Sequence, residues 1–146
     1  MPALDEVREA SKRFYGGLNR MANGESNTFS DIWSHGKSVT TMHPIGGREV
    51  GWDAVKNSFD MVGKVASDGH VELKDQVINV LGDAAYETGI EQAKFKIAGM
   101  EVKGEIRVTN IYHRENGTWK IVHHHTDIAP AMIEVLSRLQ HASEHA

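Results

Sequence analysis

The chain contains no cysteine. Disulfides and thiolate chemistry are therefore excluded, and redox places no constraint on compartment. It also has no excess of basic charge. The formal net charge is -4 with histidine neutral, which argues against a nucleic-acid footprint. No apolar run approaches the length of a membrane span. The opening residues, Met-Pro-Ala-Leu-Asp-Glu, are polar and acidic and lack the apolar centre of a secretory signal. A cytoplasmic protein with no membrane partner is expected. No repeat, low-complexity tract or linker interrupts the 146 residues. One domain is expected over 1–146, with its core at about 4–130 and a short helix and tail over 131–146. A chain of this size buries roughly two-thirds of its unfolded surface, enough for a core with a cavity in it.

What is present centres on the stretch from Met100 to Pro130. Asn116-Gly117 is a strong two-residue hairpin signal, because both turn positions favour positive φ. The flanks are rich in Val, Ile, Thr, Tyr and Trp, which suit a half-buried pleated surface. Side chains alternate between the faces of a strand. Val102, Ile106, Val108, Asn110 and Tyr112 therefore share one face, with Asn110 as its only amide. Lys103, Glu105, Arg107, Thr109 and His113 share the other. A buried amide requires a partner or a ligand.

The rest reads in order as follows. Leu4, Val7, Phe14, Leu18 and Met21 recur at helical spacing over residues 4–22. Gly16-Gly17 inside that helix admits a close approach. A helical turn is expected over 28–35, then a short strand over 38–42 ending at His43-Pro44. The proline holds His43 in an extended conformation. Trp52, Val55, Phe59 and Val62 predict a helix over 51–66, broken by Ser67-Asp68-Gly69. A strand over 70–81 changes phase, which predicts a bulge near Asp75-Gln76. A strand over 84–97 presents Tyr86, Thr88, Ile90 and Gln92 on one face and Ala85, Glu87, Gly89 and Glu91 on the other. A helix over 131–139 and a frayed tail, HASEHA, close the chain. Helices first and antiparallel strands later make an α+β fold.

Several pieces together carry a resemblance. They are Trp33, His43-Pro44-Ile45-Gly46-Gly47, Glu49-Val50-Gly51-Trp52, Gly82-Asp83-Ala84-Ala85-Tyr86, Arg107-Val108-Thr109 and Asn116-Gly117-Thr118-Trp119-Lys120-Ile121-Val122-His123. The ordered set resembles the SnoaL-like branch of the nuclear-transport-factor-2-like superfamily, with its cystatin-like fold. That superfamily includes ketosteroid isomerase, polyketide cyclases and a kinase association domain. The resemblance implies a strongly curved antiparallel sheet wrapped around N-terminal helices, a cone-shaped barrel with an internal pocket, and a homodimer through the sheet. In ketosteroid isomerase a carboxylate base precedes a proline; that position is His43 here. Its carboxylic acid donor falls on Asn110. Its tyrosine falls on Phe14, with Tyr15 beside it. This chain departs from the isomerase at all three positions. The association domain has arginines at the positions of Asn110 and Thr126, so a carboxylate ligand is not implied.

His43 and Asn110 are accordingly the catalytic candidates. The histidine would move a proton and the amide would steady an oxyanion. Phe14, Trp33, Phe59, Tyr86, Val108, His124 and Thr126 are the expected ligand contacts, and Val122 is taken to share the face of His124 and Thr126. The run His123-His124-His125 invites a metal reading, since His123, His125 and Asp127 share a strand face. No further Glu/His spacing joins them, and neither metal nor cofactor is expected. Arg107, on the opposite face, suits a dimer salt bridge or a second anion site. Three functional classes stay open. One is a cofactor-independent isomerase, cyclase or dehydratase acting on a small, largely apolar substrate. The others are a non-catalytic binder of a small hydrophobic molecule and an assembly module.

Overall fold

The computed structural model describes residues 2–144, with side chains described for 2–141. Helix α1 (Pro2–Met21) is followed by strands β1 (Thr40–His43) and β2 (Gly46–Val50) and helix α2 (Trp52–Gly63). Strands β3 (Ala66–Leu81), β4 (Ala84–Ile97), β5 (Met100–Glu115) and β6 (Thr118–Thr126) come next, then helix α3 (Pro130–Glu144). The six strands form one sheet in the order β2-β1-β6-β5-β4-β3. Every pairing is antiparallel except β1 with β6. The sheet is open: β2 and β3 are its two edges, so it wraps its helices without closing into a barrel.

The four long strands are a meander, and the β5–β6 turn has the geometry its residues require. Asn116 and Gly117 have φ of 49° and 80°, the left-handed pair of a type I′ turn. On β5 the buried residues are Val102, Ile106, Val108, Asn110 and Tyr112, the face expected from alternation. The register of β3 against β4 shifts between Lys74 and Val77, and Asp75 has φ 55°. That is the bulge expected near Asp75-Gln76.

Other boundaries differ from expectation. Gly46 to Val50, in which the residue pattern predicts no strand, form β2, folded back on β1 by the tight turn at Pro44-Ile45. Helix α2 stops at Gly63, and Ser67-Asp68-Gly69 lie inside β3 at a second irregularity, where Asp68 has φ 50°. Residues 28–35 hold a single hydrogen-bonded turn, after which Trp33 bridges to Ile121 of β6. Helix α3 runs through Glu144, well beyond 139, so its last turns take up most of the tail expected to fray; residues 145 and 146 lie outside the described ones.

Helices α1, α2 and α3 all pack on one face of the sheet. Helix α1 is tied to the edge strand β3 by two asparagines one turn apart. Asn19 accepts from Val71 N–H at 2.8 Å and donates to Val71 C=O at 2.9 Å. Asn23 treats Gly69 the same way, at 3.1 and 2.9 Å. Each side-chain amide thus occupies backbone groups that an edge strand otherwise leaves unpaired. The contact is so close that a Cβ on Gly69 would lie 2.3 Å from Ala22 Cβ and 2.5 Å from Ala22 O. Gly17 plays the same part inside α1, where a Cβ would meet the Phe29 ring at 2.7 Å. The approach anticipated at Gly16-Gly17 is made at Gly17, by the protein's own chain. Gly69→Ala is therefore expected to destabilise by about 2–3 kcal/mol through overpacking. Urea unfolding should show a lower midpoint at unchanged slope.

Candidate functional site

The inner face of the sheet carries polar residues that strand alternation brings under the helices. From β4 come Glu87 and Glu91, 0% and 5% exposed. From β5 come Asn110 and Tyr112, and from β6 His124, all buried. Helix α1 supplies Ser11, Phe14 and Tyr15 from its buried stripe.

Their hydrogen bonds form one connected system. Glu87 Oε1 accepts from Asn110 Nδ2 at 2.9 Å and from the Tyr112 hydroxyl at 2.8 Å. Its Oε2 accepts from Gln76 Nε2 at 2.6 Å. Asn110 Nδ2 also donates to the Tyr15 oxygen at 3.0 Å, and the Tyr15 hydroxyl donates to Glu91 Oε2 at 2.9 Å. Both Asn110 hydrogens are thereby committed, so its Oδ1 accepts from His124 Nδ1–H, 2.6 Å away. His124 Nε2 then carries a lone pair 4.0 Å from Glu91 Oε2. His124, Asn110, Tyr15 and Glu91 make a ring that lacks only this last link.

Burial sets the protonation states. It pushes Glu91 up to about 7, against the lowering effect of the Tyr15 hydrogen bond; neighbouring Glu87 adds to the rise. Burial also holds His124 well below its ordinary range, helped by nearby histidines. The Tyr15 and Tyr112 phenols are pushed upward, first by burial and then by the carboxylates beside them. Both phenols remain donors at neutral pH.

His43 lies at the end of β1, half-buried, with its ring centroid 6.5 Å from that of His124 and 4.7 Å edge-on from Phe59. Its Nε2 is 2.7 Å from Ser58 Oγ, and Ser58 gives its own proton to Val55 C=O at 2.7 Å. The network therefore assigns the His43 proton to Nε2 and leaves the lone pair on Nδ1. Ser58 orients the imidazole and is not activated by it. Burial lowers His43 to about 4, so the ring is neutral and basic in form at neutral pH.

The structure brings most of the expected residues together. His43, Phe14, Trp33, Phe59 and His124 surround one another, as ring contacts of 5.0 Å (Phe14–His124), 6.2 Å (Phe59–His124) and 6.0 Å (Trp33–Phe59) record. Val108 and Thr126 are buried on the same face, and the Thr126 hydroxyl donates to Met42 C=O at 3.2 Å. Tyr86 does not join them. It points to the outer face and is 40% exposed, because Glu87, not Tyr86, takes the inward phase of β4. Val122 is also displaced from the expected face. The register jumps from Ile111↔His123 to Tyr112↔Ile121, so Val122 is the extra residue of a bulge, and inward phase passes from Ile121 to His124. The oxyanion role expected of Asn110 is not available in this arrangement, since both its hydrogens are bound within the network. Tyr15, rather than Phe14, presents a phenol to Asn110. The sequence reading puts Glu87 and Glu91 on one face of the strand but gives that face no inward or functional role. Their signal was the pairing of Glu87 opposite Asn110 across β4–β5.

The outer face is different in kind. Arg107 grips Asp127 (Nε–Oδ2 2.5 Å), and His123 meets Thr40 at 2.6 Å. Arg107 thus makes its ion pair within the chain. A cavity of about 490 Å³ lies between Arg107, Thr109, His125 and Asp127, and another of about 570 Å³ adjoins Ile111 and His123. Among the described residues no group of three His, Asp or Glu side chains is placed to hold a metal ion. No helix among them is long and apolar enough to cross a membrane.

The SnoaL-like domain family matches residues 7–131. The chain belongs to the SnoaL-like family. No curated protein matches it in sequence. Solved structures share its fold at low identity. A proposed dehydratase of the nuclear transport factor 2-like family from Streptomyces avermitilis is 22% identical, with TM-score 0.74 over 88% of this chain and 97% of that one. A proposed ketosteroid isomerase from Shewanella frigidimarina is 20% identical, TM-score 0.65, over 82% and 92%. The association domain of the C. elegans calcium/calmodulin-dependent protein kinase II is 19% identical, TM-score 0.63, over 86% and 95%. At these identities the likeness is one of fold.

The Glu91 environment in this SnoaL-like chain generates a pH signature. The folded carboxyl titrates near 7, against an ordinary 4.5 in the unfolded chain. Between those values the folded state holds a proton the unfolded state has lost, so this group's contribution to stability falls as pH rises, then stays level above about 7. Glu91→Gln removes the penalty. Its stability relative to wild type should rise by on the order of 3 kcal/mol from pH 4.5 to 7.5. Chemical denaturation across that range measures it, and a flat difference would contradict a neutral Glu91.

Proposed function

We propose that the chain is a small-molecule pocket protein whose inner face performs acid–base chemistry on a small, largely apolar substrate, as an isomerase, cyclase or dehydratase does. One observation carries the reading: His43 and His124, both neutral, face each other across 6.5 Å within an aromatic enclosure. His43 Nδ1 takes a proton from the carbon next to a carbonyl. Glu91, protonated near neutral pH and beside His124, supplies a proton to the departing or rearranging end. For a dehydration this balances: one C–H and one C–O bond break, a C=C bond forms, and water leaves. Asn110 is a positioning residue that fixes His124 and Tyr15. The Streptomyces relative, itself a proposed dehydratase, supports this reaction class.

The test is turnover of β-hydroxyketones and β,γ-unsaturated ketones, followed by conjugated-enone absorbance. His43→Gln keeps a donor for Ser58 but has no basic nitrogen. It should reduce turnover by about 100-fold or more with the melting temperature little changed. Equal rates for variant and wild type would remove His43 from the chemistry.

A second reading, self-association, is favoured by the outer face. Tyr86 and Ile111 are direct cross-strand partners there, 40% and 36% exposed, and a kinase association domain shares the fold. We infer a homodimer through this face. Ile111→Lys should convert it to monomer in sedimentation velocity; wild-type protein that sediments as a monomer would count against the reading.

A further inference from the structure

An asparagine or aspartate followed by glycine can react with its own backbone. The glycine has no Cβ to hinder its nitrogen from attacking the side-chain carbonyl carbon. The sequence holds such pairs at Asn23-Gly24, Asp68-Gly69 and Asn116-Gly117. Asn23, Asp68 and Asn116 are all exposed, so access to water does not separate them. Their hydrogen bonds do.

Two of the pairs hold each other. Asn23 lies just past the end of α1, and Asp68-Gly69 lies at the first irregularity of β3. Asn23 Nδ2 donates to Gly69 C=O at 2.9 Å and to Asn19 C=O at 2.8 Å. Its Oδ1 accepts from Gly69 N–H at 3.1 Å. Turning the carboxamide carbon onto the Gly24 nitrogen breaks these bonds. That nitrogen is itself engaged, since Gly24 N–H donates to Met21 C=O at 3.0 Å. In the Asp68 pair the attacking nitrogen is that of Gly69, and Asn23 is what binds it. The Asp68 carboxylate pairs with Lys96 Nζ at 3.3 Å. The backbones have little room to swing. A Cβ on Gly24 would lie 3.3 Å from Ala66 O, and the space at Gly69 is tighter still.

Asn116-Gly117 has none of this. The β5–β6 ladder ends at the pair Glu115 and Thr118, so Gly117 N–H takes no part in it. Among the described residues nothing binds the Asn116 carboxamide or the Gly117 N–H. Apart from its chain neighbours, a Cβ on Gly117 would meet nothing within 4 Å.

We propose that Asn116-Gly117 is a site of spontaneous deamidation in the folded protein, and that the clamp between Asn23 and Gly69 keeps the other two pairs from forming the same imide. The Gly117 nitrogen gives its proton to solvent and bonds to Asn116 Cγ. The Cγ–Nδ2 bond breaks and ammonia leaves, closing a five-membered imide. Water then opens either carbonyl. Opening at the side-chain carbonyl gives aspartate, and opening at the main-chain carbonyl gives isoaspartate. One water enters and one ammonia departs, with no oxidant or reductant. Either product puts a carboxylate at the exposed tip of the hairpin, beyond the last ladder pair. At Asn23 the same change would replace a donor by an acceptor-only group facing two carbonyls, and α1 would lose part of its hold on β3. The reaction is open where the ladder outlasts it and closed where a helix depends on the amide.

Wild-type protein held at mildly alkaline pH, either folded or unfolded in urea, tests this. Acidic digestion and peptide mapping then follow each pair through its aspartyl and isoaspartyl products; for Asp68 the isoaspartyl peptide is the readout. Folded Asn116 should convert at a rate less than about 10-fold below its unfolded rate. Asn23 and Asp68 should each fall more than about 10-fold below theirs, because they react only after local opening. Asn116→Gly keeps a residue suited to positive φ and should abolish most of the acidic species that the folded protein accumulates. Asn116 slowed by about 10-fold or more on folding overturns the open site. Asn116→Gly that accumulates acidic species as wild type does also overturns it. Asn23 or Asp68 slowed by less than about 10-fold overturns the clamp's protection.

Discussion

The structure depends on placing two carboxylates on the buried face of one strand. An isolated ionised carboxylate is too costly to bury; it must be hydrogen-bonded or neutralised. The fold does both. Glu87 receives Asn110, Tyr112 and Gln76. Asn110 and Tyr112 are two apart on β5, so a single strand phase delivers both donors. Gln76 reaches the same group because the bulge at Asp75 moves β3 by one residue and turns an even-numbered side chain inward. Among the described residues Glu91 receives Tyr15 alone, and burial raises its affinity for a proton. The β3 bulge, the β5 phase and the α1 face are thus one arrangement seen from three elements.

Helix α1 serves two environments at once. Ser11 and Tyr15, one turn apart, face the carboxylates: Gln76 donates to Ser11 Oγ at 3.3 Å and Tyr15 donates to Glu91. Phe14 and Leu18 lie on the next stripe, and Phe14 touches Tyr15, Phe29, Trp33 and His124. The closeness that this demands explains Gly17, which lets Phe29 pass at contact distance. Asn19 and Asn23 then clamp the far end of the helix to β3. The position of the Tyr15 hydroxyl is therefore set from both sides along the helix axis.

Much of this was legible in the residues. The β5 alternation singled out Asn110 between Val108 and Tyr112, Asn116-Gly117 gave the turn, and the broken phase near Asp75 gave the bulge. These signals are local, and local sterics decide them. The inward carboxylates were not legible, because hydrophobicity assigns Tyr86 and Ile90 to the core and Glu87 and Glu91 to solvent. Tertiary partners on β5 and α1 reverse that preference, and no property of β4 alone records them. The β6 phase held at His124 and Thr126 and failed at Val122 for a related reason. The bulge at Val122 leaves no glycine or proline as a marker, yet it decides that Ile121 and His124 both point inward. Strand β2 was hidden by its glycines, which weaken strand propensity while permitting the fold-back onto β1.

The electrostatic character of the interior follows from these placements. His43 and His124 are uncharged near neutral pH because burial disfavours the imidazolium, and Glu91, raised to about 7 because burial disfavours the carboxylate, is there divided between its neutral and ionised forms. On the proposed reading, such a set would pass protons between buried partners without first moving a charge out of water. Its donors and acceptors are already oriented, His43 by Ser58 and His124 by Asn110. Orientation matters more than strength here. A histidine lowered to about 4 is a weak base, so any rate it confers has to come from a substrate held against Nδ1 with its carbonyl already polarised. On the proposed reading, that requirement ties the basic nitrogen at the end of β1 to whatever grips the substrate, and the neutrality of the two imidazoles becomes a condition of the chemistry as well as a consequence of burial.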